Sequence, residues 1–401
     1  MGRAGTLAAV AGGLALRLVA VAWGLTMGAA GAFAAPLDAD LAPLRSTGTE
    51  GFPLVQAPRR FEFPLDHGPH PEFRQEWWYL TGNLTGAAGE RFGFELTFFR
   101  FALSPLSAVP TAGSGAKDDS RWRTRQVYTA HFAITDVATG RFRFAQKYAR
   151  DALGLAGAEA APFHVWLDDW RVSETDSSKS IAMRSGEVIG APWTLHAHQQ
   201  GYELELDVQP VWAPILNGDQ GLSVKSGEPG AASYYYSIPR LAVRGRLVRD
   251  GTPVSVRGTA WLDREWGSGS LGPDEAGWDW FALQLEDGGA LMFYALRNRD
   301  GTREPHSAGT WVDSKGNVRP LTSGEVRIDV GARWTSPRGN RYPSRWHVQI
   351  PTLALDVDVK PVMANQELGT RPRYWEGAVD VSGSHDGRTT SGRGYVELVG
   401  Y

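Results

Sequence analysis

Two distant segments of the chain carry the same aromatic strand pattern, and this repeat restricts the fold more than any other sequence feature. Residues 75–84 read QEWWYLTGNL and residues 277–285 read GWDWFALQL, so that Trp77 meets Trp278 when the segments are overlaid without a gap. Each segment runs into a glycine-containing turn and a returning apolar strand that ends on an arginine. The pattern predicts a duplicated β-hairpin, and therefore two related β domains.

The remainder of the chain also favours β structure. Its 401 residues include 48 glycines, 24 prolines and 16 tryptophans, and apolar and polar residues alternate in segments such as 202–208 and 346–350. A sheet that must hide its edges and carries large aromatic side chains tends to close into a barrel. We therefore predict an all-β protein of two tandem lipocalin-like antiparallel β-barrel domains, residues 50–243 and 244–401, rather than a single sandwich. The boundary is placed near Arg244.

Residues 1–34 have the pattern of a cleavable export signal. Arg3 and Arg17 precede an apolar run, residues 18–30, that is short for a bilayer span, and a small-x-small cleavage site ends at Ala34. We therefore predict a signal peptide with cleavage near that residue and a periplasmic or secreted protein. An uncleaved membrane anchor is the alternative.

Composition and missing motifs exclude several functional classes. The chain has no cysteine, which excludes a lipoprotein anchor, a disulfide framework and thiol catalysis. Its 41 basic and 44 acidic residues form no basic stripe, so no nucleic-acid partner is expected. The sequence also lacks a Gly-x-Ser-x-Gly elbow, a phosphate-binding loop, a dinucleotide fingerprint and a His-Glu-x-x-His motif. No cofactor is predicted. His196 and His198 share a strand face without an evident third ligand, so no metal site is predicted either.

One segment, residues 258–267, has the composition of a catalytic strand. On an extended chain Trp261, Asp263 and Glu265 share one face, which places two carboxyl groups beside an indole. Asp263 could protonate an alkene and Trp261 could shield the resulting carbocation, because burial and a neighbouring like charge keep a carboxyl group protonated to higher pH. Alternatively, the acidic pair and Arg264 form a structural ion-pair cluster at the end of the strand.

Further candidates lie on or near the repeated strands. Glu76 and Arg100 are expected to pair inside the first barrel or at its mouth, in a structural or a ligand-binding role. His131 is either a hydrogen-bonding residue or part of the site. The tryptophans either fill the barrel cores or line wide ligand cavities. The aromatic residues proposed to bind ligand are Trp77, Trp78, Tyr79, Trp266, Trp278 and Trp280.

Five separate segments, in this order, give the sequence a family resemblance. They are EWWY at 76–79, HFAITD at 131–136, SYYYS at 233–237, GTAWLDREWG at 258–267 and GWDW at 277–280. Together they resemble the AttH / carotenoid 1,2-hydratase (CrtC-like) family of tandem lipocalin-like secreted proteins, over nearly the whole chain from about Phe52 to Tyr401. The family includes carotenoid hydratases, fungal relatives that hydrate or cyclise polyketide-type substrates, and secreted proteins labelled predicted hydrolases. Some bacterial members are associated with ABC-transporter permeases.

The resemblance implies that Asp263 is the acidic residue of the family's hydratases. Those enzymes carry a Tyr two places before it and a His and a Trp on an upstream strand, and these positions correspond here to Trp261, Tyr234 and Tyr236. The acid therefore matches the family pattern, while its supporting residues differ. With Glu265, these residues make up the predicted catalytic set.

Two functions remain open on this sequence. The first is an exported carrier that binds a hydrophobic small molecule, such as a lipid, an isoprenoid or a polyketide-like compound, and serves an ABC-transporter permease. The second is a cofactor-independent hydratase, lyase or isomerase that acts on an apolar alkene with Asp263 as general acid. The hydrolase label has no nucleophile motif behind it.

Overall fold

A computed structural model gives the positions of most of the chain. The described residues are 49–106, 124–175, 190–269, 271–272 and 274–401. Within these ranges the protein is all-β, with two short 3₁₀ helices at Leu65–His67 and Pro351–Leu353. No helix of the described ranges has the length and apolar character needed to cross a bilayer. The predicted signal peptide, residues 1–34, lies outside the described residues.

The first sheet has 13 antiparallel strands and curls into a nearly closed barrel. Its strands are β1 (Gln75–Gly86), β2 (Arg91–Ala102), β3 (Gln126–Asp136), β4 (Arg141–Arg150), β5 (Ala156–Ala160), β6 (Phe163–Leu167), β7 (Trp170–Glu174), β8 (Trp193–Gln199), β9 (Tyr202–Pro210), β10 (Ile215–Leu216), β11 (Leu222–Val224), β12 (Ala232–Arg249) and β13 (Thr252–Gly269). The strand order is β4-β3-β2-β1-β13-β12-β9-β8-β7-β6-β5, and β10 and β11 both pair with β12.

The second sheet has ten strands and forms a half-barrel. Its strands are β14 (Glu275–Leu285), β15 (Ala290–Asn298), β16 (Ala308–Val312), β17 (Val318–Thr322), β18 (Arg327–Thr335), β19 (Arg341–Ile350), β20 (Leu355–Pro361), β21 (Glu367–Leu368), β22 (Tyr374–His385) and β23 (Arg388–Val399). The order is β17-β16-β15-β14-β23-β22-β20-β19-β18, with β21 paired to β22.

The predicted duplication is visible in the strand order. β1 and β2 form the first aromatic hairpin, and β14 and β15 form the second. Each hairpin has the same neighbours in its sheet, because β3-β2-β1-β13 in the first corresponds to β16-β15-β14-β23 in the second. The prediction of an all-β protein with two lipocalin-like domains is therefore confirmed.

The predicted boundary near Arg244 does not coincide with the change of sheet. This residue lies inside β12, which pairs with β13 from Ala232 opposite Gly269 to Arg249 opposite Thr252. Because β13 also pairs with β1, both of these strands belong to the first sheet. The chain passes to the second sheet after Gly269, at the end of β13. A hairpin of two 18-residue strands contains no composition break that would reveal this from sequence.

Three apolar cores follow from the alternation of side chains across the strands. Trp78 and Trp266 belong to the core inside the first barrel, and Trp346 belongs to the core of the second sheet. The third core lies between the sheets, where Tyr79 on β1 packs against Trp280 on β14 with ring centroids 4.9 Å apart. The two sheets thus pack against each other through aromatic outer faces, and tryptophans fill the barrel interiors.

The segment that precedes β1 lies along the first barrel. The hydroxyl of Ser268 donates a hydrogen bond of 2.6 Å to the backbone oxygen of Pro53. The indole of Trp78 donates to the backbone oxygen of His67 at 2.8 Å, from inside the barrel core. Both bonds hold this segment against the core of the first barrel.

Candidate functional site

A cavity lies between the two sheets. It encloses about 860 Å³ of space free of protein atoms, part of which is open to solvent. Strands β1, β2, β3, β12 and β13 of the first sheet supply one side, and β14, β15, β22 and β23 of the second supply the other. The lining side chains are Trp77, Tyr79, Phe99, His131, Lys225, Tyr235, Asp263, Glu265, Leu271, Trp278, Trp280, Tyr294, Leu296, Pro372, Tyr374, Glu397 and Val399. Most of this surface is aromatic or aliphatic, which suits an apolar small molecule.

Strand β13 carries three of the residues that were predicted from the sequence to be catalytic. Asp263 and Glu265 line the cavity, and Trp261 packs in the core between the sheets. Side chains alternate along a strand, so Arg264 and Trp266 point the other way, into the first barrel. The prediction that the acidic pair and the indole share one face is confirmed.

Asp263 accepts hydrogen bonds from three side chains. The indole of Trp261 donates to Oδ1 at 2.7 Å, the hydroxyl of Ser237 donates to the same oxygen at 2.5 Å, and the hydroxyl of Tyr235 donates to Oδ2. Ser237 is opposite Asp263 in the pairing of β12 with β13. Among the described residues Asp263 has no ion-pair partner, and it is only 3% exposed.

Further hydrogen bonds fix the direction of two of these donors. Trp280 donates its indole N–H to the hydroxyl oxygen of Tyr235 at 3.1 Å, and Asn217 donates to the Ser237 hydroxyl oxygen at 2.8 Å. An indole N–H can only donate, so the Tyr235 proton is free to point at Asp263. The surroundings of Asp263 therefore supply donors and favour its ionised form.

Burial acts in the opposite direction and outweighs these donors. Removal from water raises the pKa of Asp263 to about 6, the hydrogen bonds from Ser237, Tyr235 and Trp261 lower it, and the charge of Glu265 raises it further. A carboxyl group with such a pKa can exchange protons near neutral pH, which is unusual for aspartate.

Glu265 has a different set of partners. It accepts a hydrogen bond from the Ser233 hydroxyl, and Lys225 Nζ lies 3.2 Å from its Oε1. The Lys225 ammonium also lies 3.9 Å from the ring centre of Tyr294. Burial by itself would lower the pKa of Lys225, but Glu265 more than compensates, so the pKa is raised. The lysine therefore remains charged, and it neutralises Glu265 rather than Asp263.

Two predicted catalytic residues, Tyr234 and Tyr236, do not line the cavity. Tyr236 belongs to the core of the first barrel, where its hydroxyl contacts His67 Nδ1 at 2.7 Å. Tyr234 donates to the backbone oxygen of Ala57 at 3.0 Å. The tyrosine between them, Tyr235, faces Asp263, since consecutive side chains on β12 point to opposite sides.

The predicted pair of Glu76 and Arg100 forms inside the first barrel and not in the cavity. Arg100 Nε and Arg264 Nη2 both contact the Glu76 carboxylate, which also accepts the backbone N–H of His70. Burial opposes ionisation of Glu76, but the two guanidinium groups hold its pKa well below the usual range. The predicted cluster of Arg264 with its neighbouring acids is therefore replaced by this buried network. Trp78, another predicted ligand-binding residue, stacks under Arg264 at 4.0 Å and also lies outside the cavity.

Trp266 is the remaining predicted ligand-binding residue that lies outside the cavity. It is buried in the first barrel and stacks on the His70 ring with centroids 3.8 Å apart. The other aromatic candidates do line the cavity: Trp77, Tyr79, Trp278 and Trp280.

His131 lines the cavity as a neutral hydrogen-bonding group. Its Nδ1 lies 2.5 Å from the hydroxyl of Tyr374, and its Nε2 lies 2.7 Å from Gln146 Nε2. Burial lowers the pKa of His131 to about 3. This histidine therefore stays uncharged over the neutral range.

Three glutamates behind and beside the cavity were not predicted from the sequence; Glu95 and Glu376 are fully buried and Glu397 is partly buried. The hydroxyl of Tyr79 donates to Glu376 Oε1 at 2.6 Å, and the hydroxyl of Tyr374 donates to Glu95 Oε1 at 2.8 Å. Glu397, the third, accepts the indole N–H of Trp278 at 2.8 Å. Glu376 and Glu397 are opposite each other on β22 and β23, whereas Glu95 on β2 reaches them only across the sheets, so the sequence gives no local signal that the three meet.

Within the described ranges, no group of three or more His, Asp or Glu side chains is arranged to hold a metal ion. His196 and His198, which the sequence placed on one strand face, lie on β8 with ring centroids 6.2 Å apart. His198 Nε2 contacts the carboxylate of Asp169 instead of a third histidine.

The fold and the cavity define a class of two-domain lipocalin-like proteins with an aromatic, acid-containing site between the domains. Within that class the chain belongs to the AttH-like family, which it matches over residues 54–401. It is similar to the crystal structure of an AttH protein from Nitrosomonas europaea, with 34% identity and a TM-score of 0.73, over 87% of this chain and 100% of the other. Kievitone hydratase from Nectria haematococca shares the fold at 13% identity and a TM-score of 0.63, over 87% of this chain and 95% of that enzyme. No protein of curated function matches the chain.

Proposed function

We propose that the cavity binds a hydrophobic small molecule of lipid, isoprenoid or polyketide type and that Asp263 exchanges a proton with it in a cofactor-independent reaction. The addition or elimination of water at an alkene, or an isomerisation, fits this site. The observation that carries the proposal is the Asp263 carboxyl group, which is buried among aromatic side chains, is held by three donors and has no cation partner within the described ranges. Burial of such a carboxyl group costs free energy, and a purely structural role does not account for that cost.

The aromatic lining supports the same chemistry. Trp278 and Trp280 present indole rings to the cavity beside Tyr235. Aromatic rings attract positive charge through their electron-rich faces, so they stabilise a cation that forms on a carbon skeleton. The mainly apolar lining of the cavity would limit the access of water to such a cation.

A carrier is the second candidate function. It is favoured by the mainly apolar lining and by the completeness of the hydrogen bonds to Asp263, which are also compatible with a purely structural carboxylate. In this version we propose that the protein passes its ligand to an ABC-type permease. Both versions place the ligand in the same cavity.

Mass spectrometry of organic extracts distinguishes the enzyme from the carrier. Wild-type protein, an Asp263→Asn variant and a Glu367→Gln variant are purified from the native host and extracted identically. Glu367 is a matched control, because it is a buried carboxyl that binds Asn340 and Tyr342 away from the cavity. A product in wild type and Glu367→Gln, with its precursor in Asp263→Asn, supports the enzyme. The same compound in all three supports the carrier, and no apolar compound in any folded sample contradicts both.

We also propose that the protein is exported, with residues 1–34 as a cleaved signal. Amino-terminal sequencing of protein from the periplasmic fraction tests this. A mature chain that begins near Ala35 supports export, whereas an intact amino terminus in the cytoplasmic fraction contradicts it.

A further inference from the structure

The second sheet contributes an acidic side chain to the cavity wall. Glu397 on β23 lines the cavity, as does Asp263 on β13 of the first sheet. The indole of Trp278 donates 2.8 Å to Glu397 Oε2, and no ion pair within the described ranges includes Glu397. Unlike Asp263, Glu397 is only partly buried, as expected of a side chain with one surface on a cavity.

Two further carboxyl groups lie behind Glu397. Glu376 is its partner across the β22–β23 ladder, and Glu95 reaches the same region from the first sheet through Tyr374. Glu95 and Glu376 are 0% and 1% exposed, and the Oε2 atom of each has no hydrogen-bond partner among the described residues. The three carboxyl groups repel one another, and no cation in the described part of the chain pairs with them, so they cannot all be ionised.

We infer that Glu397 is a second proton-carrying residue of the cavity, so that a bound molecule lies between a neutral carboxyl group on the second sheet and the Asp263 carboxylate on the first. The inference rests on the proposed function and assigns its direction of proton transfer. Glu397 is the acid and Asp263 the base.

The surroundings of the two groups agree with this division. Burial, followed by the charges of Glu95, Asp263 and Glu265, raises the pKa of Glu397 to about 8, although the Trp278 indole lowers it. Burial raises the pKa of Asp263 only to about 6, because three donors favour its charged form. Between these values Glu397 is mainly protonated and Asp263 mainly ionised, which is how a pair of carboxyl groups divides the roles of acid and base.

The arrangement suits the hydration of a neutral, apolar substrate that carries an alkene. For hydration, the Glu397 O–H bond breaks as its proton bonds to one alkene carbon. A water oxygen bonds to the other carbon, and Asp263 takes one proton from that water. Glu397 is then ionised and Asp263 neutral, and proton exchange with solvent restores both. Dehydration is the reverse sequence and would start from neutral Asp263 and ionised Glu397, the opposite of their main states, so the pair favours hydration.

Infrared titration tests the proton positions without a substrate. The carbonyl-stretch band of protonated carboxyl groups is followed from pH 5 to pH 9 in wild type, Glu397→Gln, Asp263→Asn and the Glu367→Gln control. We expect Glu397→Gln to lose the intensity of one carboxyl group at pH 7. Asp263→Asn should keep most of that intensity, although loss of the Asp263 charge lowers the pKa of Glu397, and should lose a component that appears at lower pH. Unchanged intensity at pH 7 in Glu397→Gln overturns the inference.

A second variant covers the case in which Glu397→Gln fails to fold. Trp278→Phe removes the donor to the Glu397 carboxylate, so the midpoint of the Glu397 band should move to higher pH. A midpoint equal to that of wild type contradicts the assignment.

Contact with a bound molecule is tested with β-ionone, an apolar enone. Its carbonyl stretch should fall in frequency with wild type and Glu367→Gln, and less with Glu397→Gln, because a neutral carboxyl group donates to the carbonyl. An equal stretch with all proteins rules out this contact. Failure of the proposed function would be seen separately, as the absence of a transformed compound in the extracts, since the titration requires no turnover.

Discussion

The hydroxyl of Tyr79 on the first sheet donates a 2.6 Å hydrogen bond to Glu376 on the second. The relationship is reciprocal, because Tyr374 on the second sheet donates to Glu95 on the first at 2.8 Å. Each tyrosine lines the cavity and each glutamate is fully buried. The cavity wall is therefore also the joint between the two sheets, and changes to the joint affect both stability and the site.

Loss of one of these bonds should destabilise the protein. Tyr79→Phe leaves Glu376 buried with neither of its oxygens paired, and we expect the free energy of unfolding to fall by about 1–3 kcal/mol. Urea denaturation measures the change. Tyr148→Phe, at an exposed tyrosine, is the control and should change stability by less than about 0.5 kcal/mol. Equal effects of the two substitutions would show that the hydrogen bond from Tyr79 to Glu376 does not contribute to stability.

Neighbouring tyrosines on β12 should affect Asp263 differently. Tyr235→Phe removes a donor to the ionised carboxylate, so the pKa of Asp263 should rise further above its value of about 6. Tyr234→Phe leaves that pKa unchanged, because Tyr234 binds Ala57 on the other face. Carbon-13 NMR titration of the aspartate carboxyl groups measures both variants. The same shift in the two would contradict the assignment of Tyr235 to the site.

The effect of Glu397 on stability should depend on pH. Its pKa is raised from 4.5 to about 8 on folding, so the folded protein binds more protons than the unfolded chain between these values. Stability from this group is therefore present below pH 4.5 and is lost as pH rises through about 8, at about 1.4 kcal/mol for each unit of pKa difference. Relative to Glu397→Gln, wild type should lose stability across this range. The free energy of unfolding of each protein is measured by denaturation at each pH. Parallel pH profiles of the two proteins would contradict this contribution of Glu397.

The buried network in the first barrel should be sensitive to the loss of one guanidinium group. Arg264→Ala leaves Glu76 partly uncompensated in a site that is 0% exposed, and we expect destabilisation of about 3–5 kcal/mol. Arg246→Ala removes an exposed pair with Glu205 and should change stability by at most about 1 kcal/mol. Thermal and urea unfolding compare the variants. A small effect of Arg264→Ala would mean that Arg100 alone neutralises Glu76.

Much of the fold follows from local patterns. The repeated aromatic hairpins predicted two related β domains, and alternation along β13 correctly placed Trp261, Asp263 and Glu265 on one face. Both features depend on side-chain periodicity within a single strand, and the chain geometry fixes that periodicity wherever the strand is placed.

The side of β12 that faces the cavity could not be predicted from the sequence in the same way. A shift of one residue moves every side chain to the opposite face, and the β12–β13 ladder has irregularities between Ala232 and Ser233 and between Ile238 and Leu241. The family resemblance placed Tyr234 and Tyr236 in the site, whereas the register places Tyr235 there. The boundary predicted near Arg244 differs from the change of sheet, since pairing with β1 assigns the long hairpin to the first sheet.

The sequence by itself determined the class of fold, the duplication and the strand face that carries Asp263. Only the tertiary structure decided that the cavity lies between the domains, and that Glu95, Glu376 and Glu397 meet there. Strand periodicity is a local property, whereas the meeting of these carboxyl groups depends on how two sheets pack. Their raised pKa values come from the burial that this packing imposes.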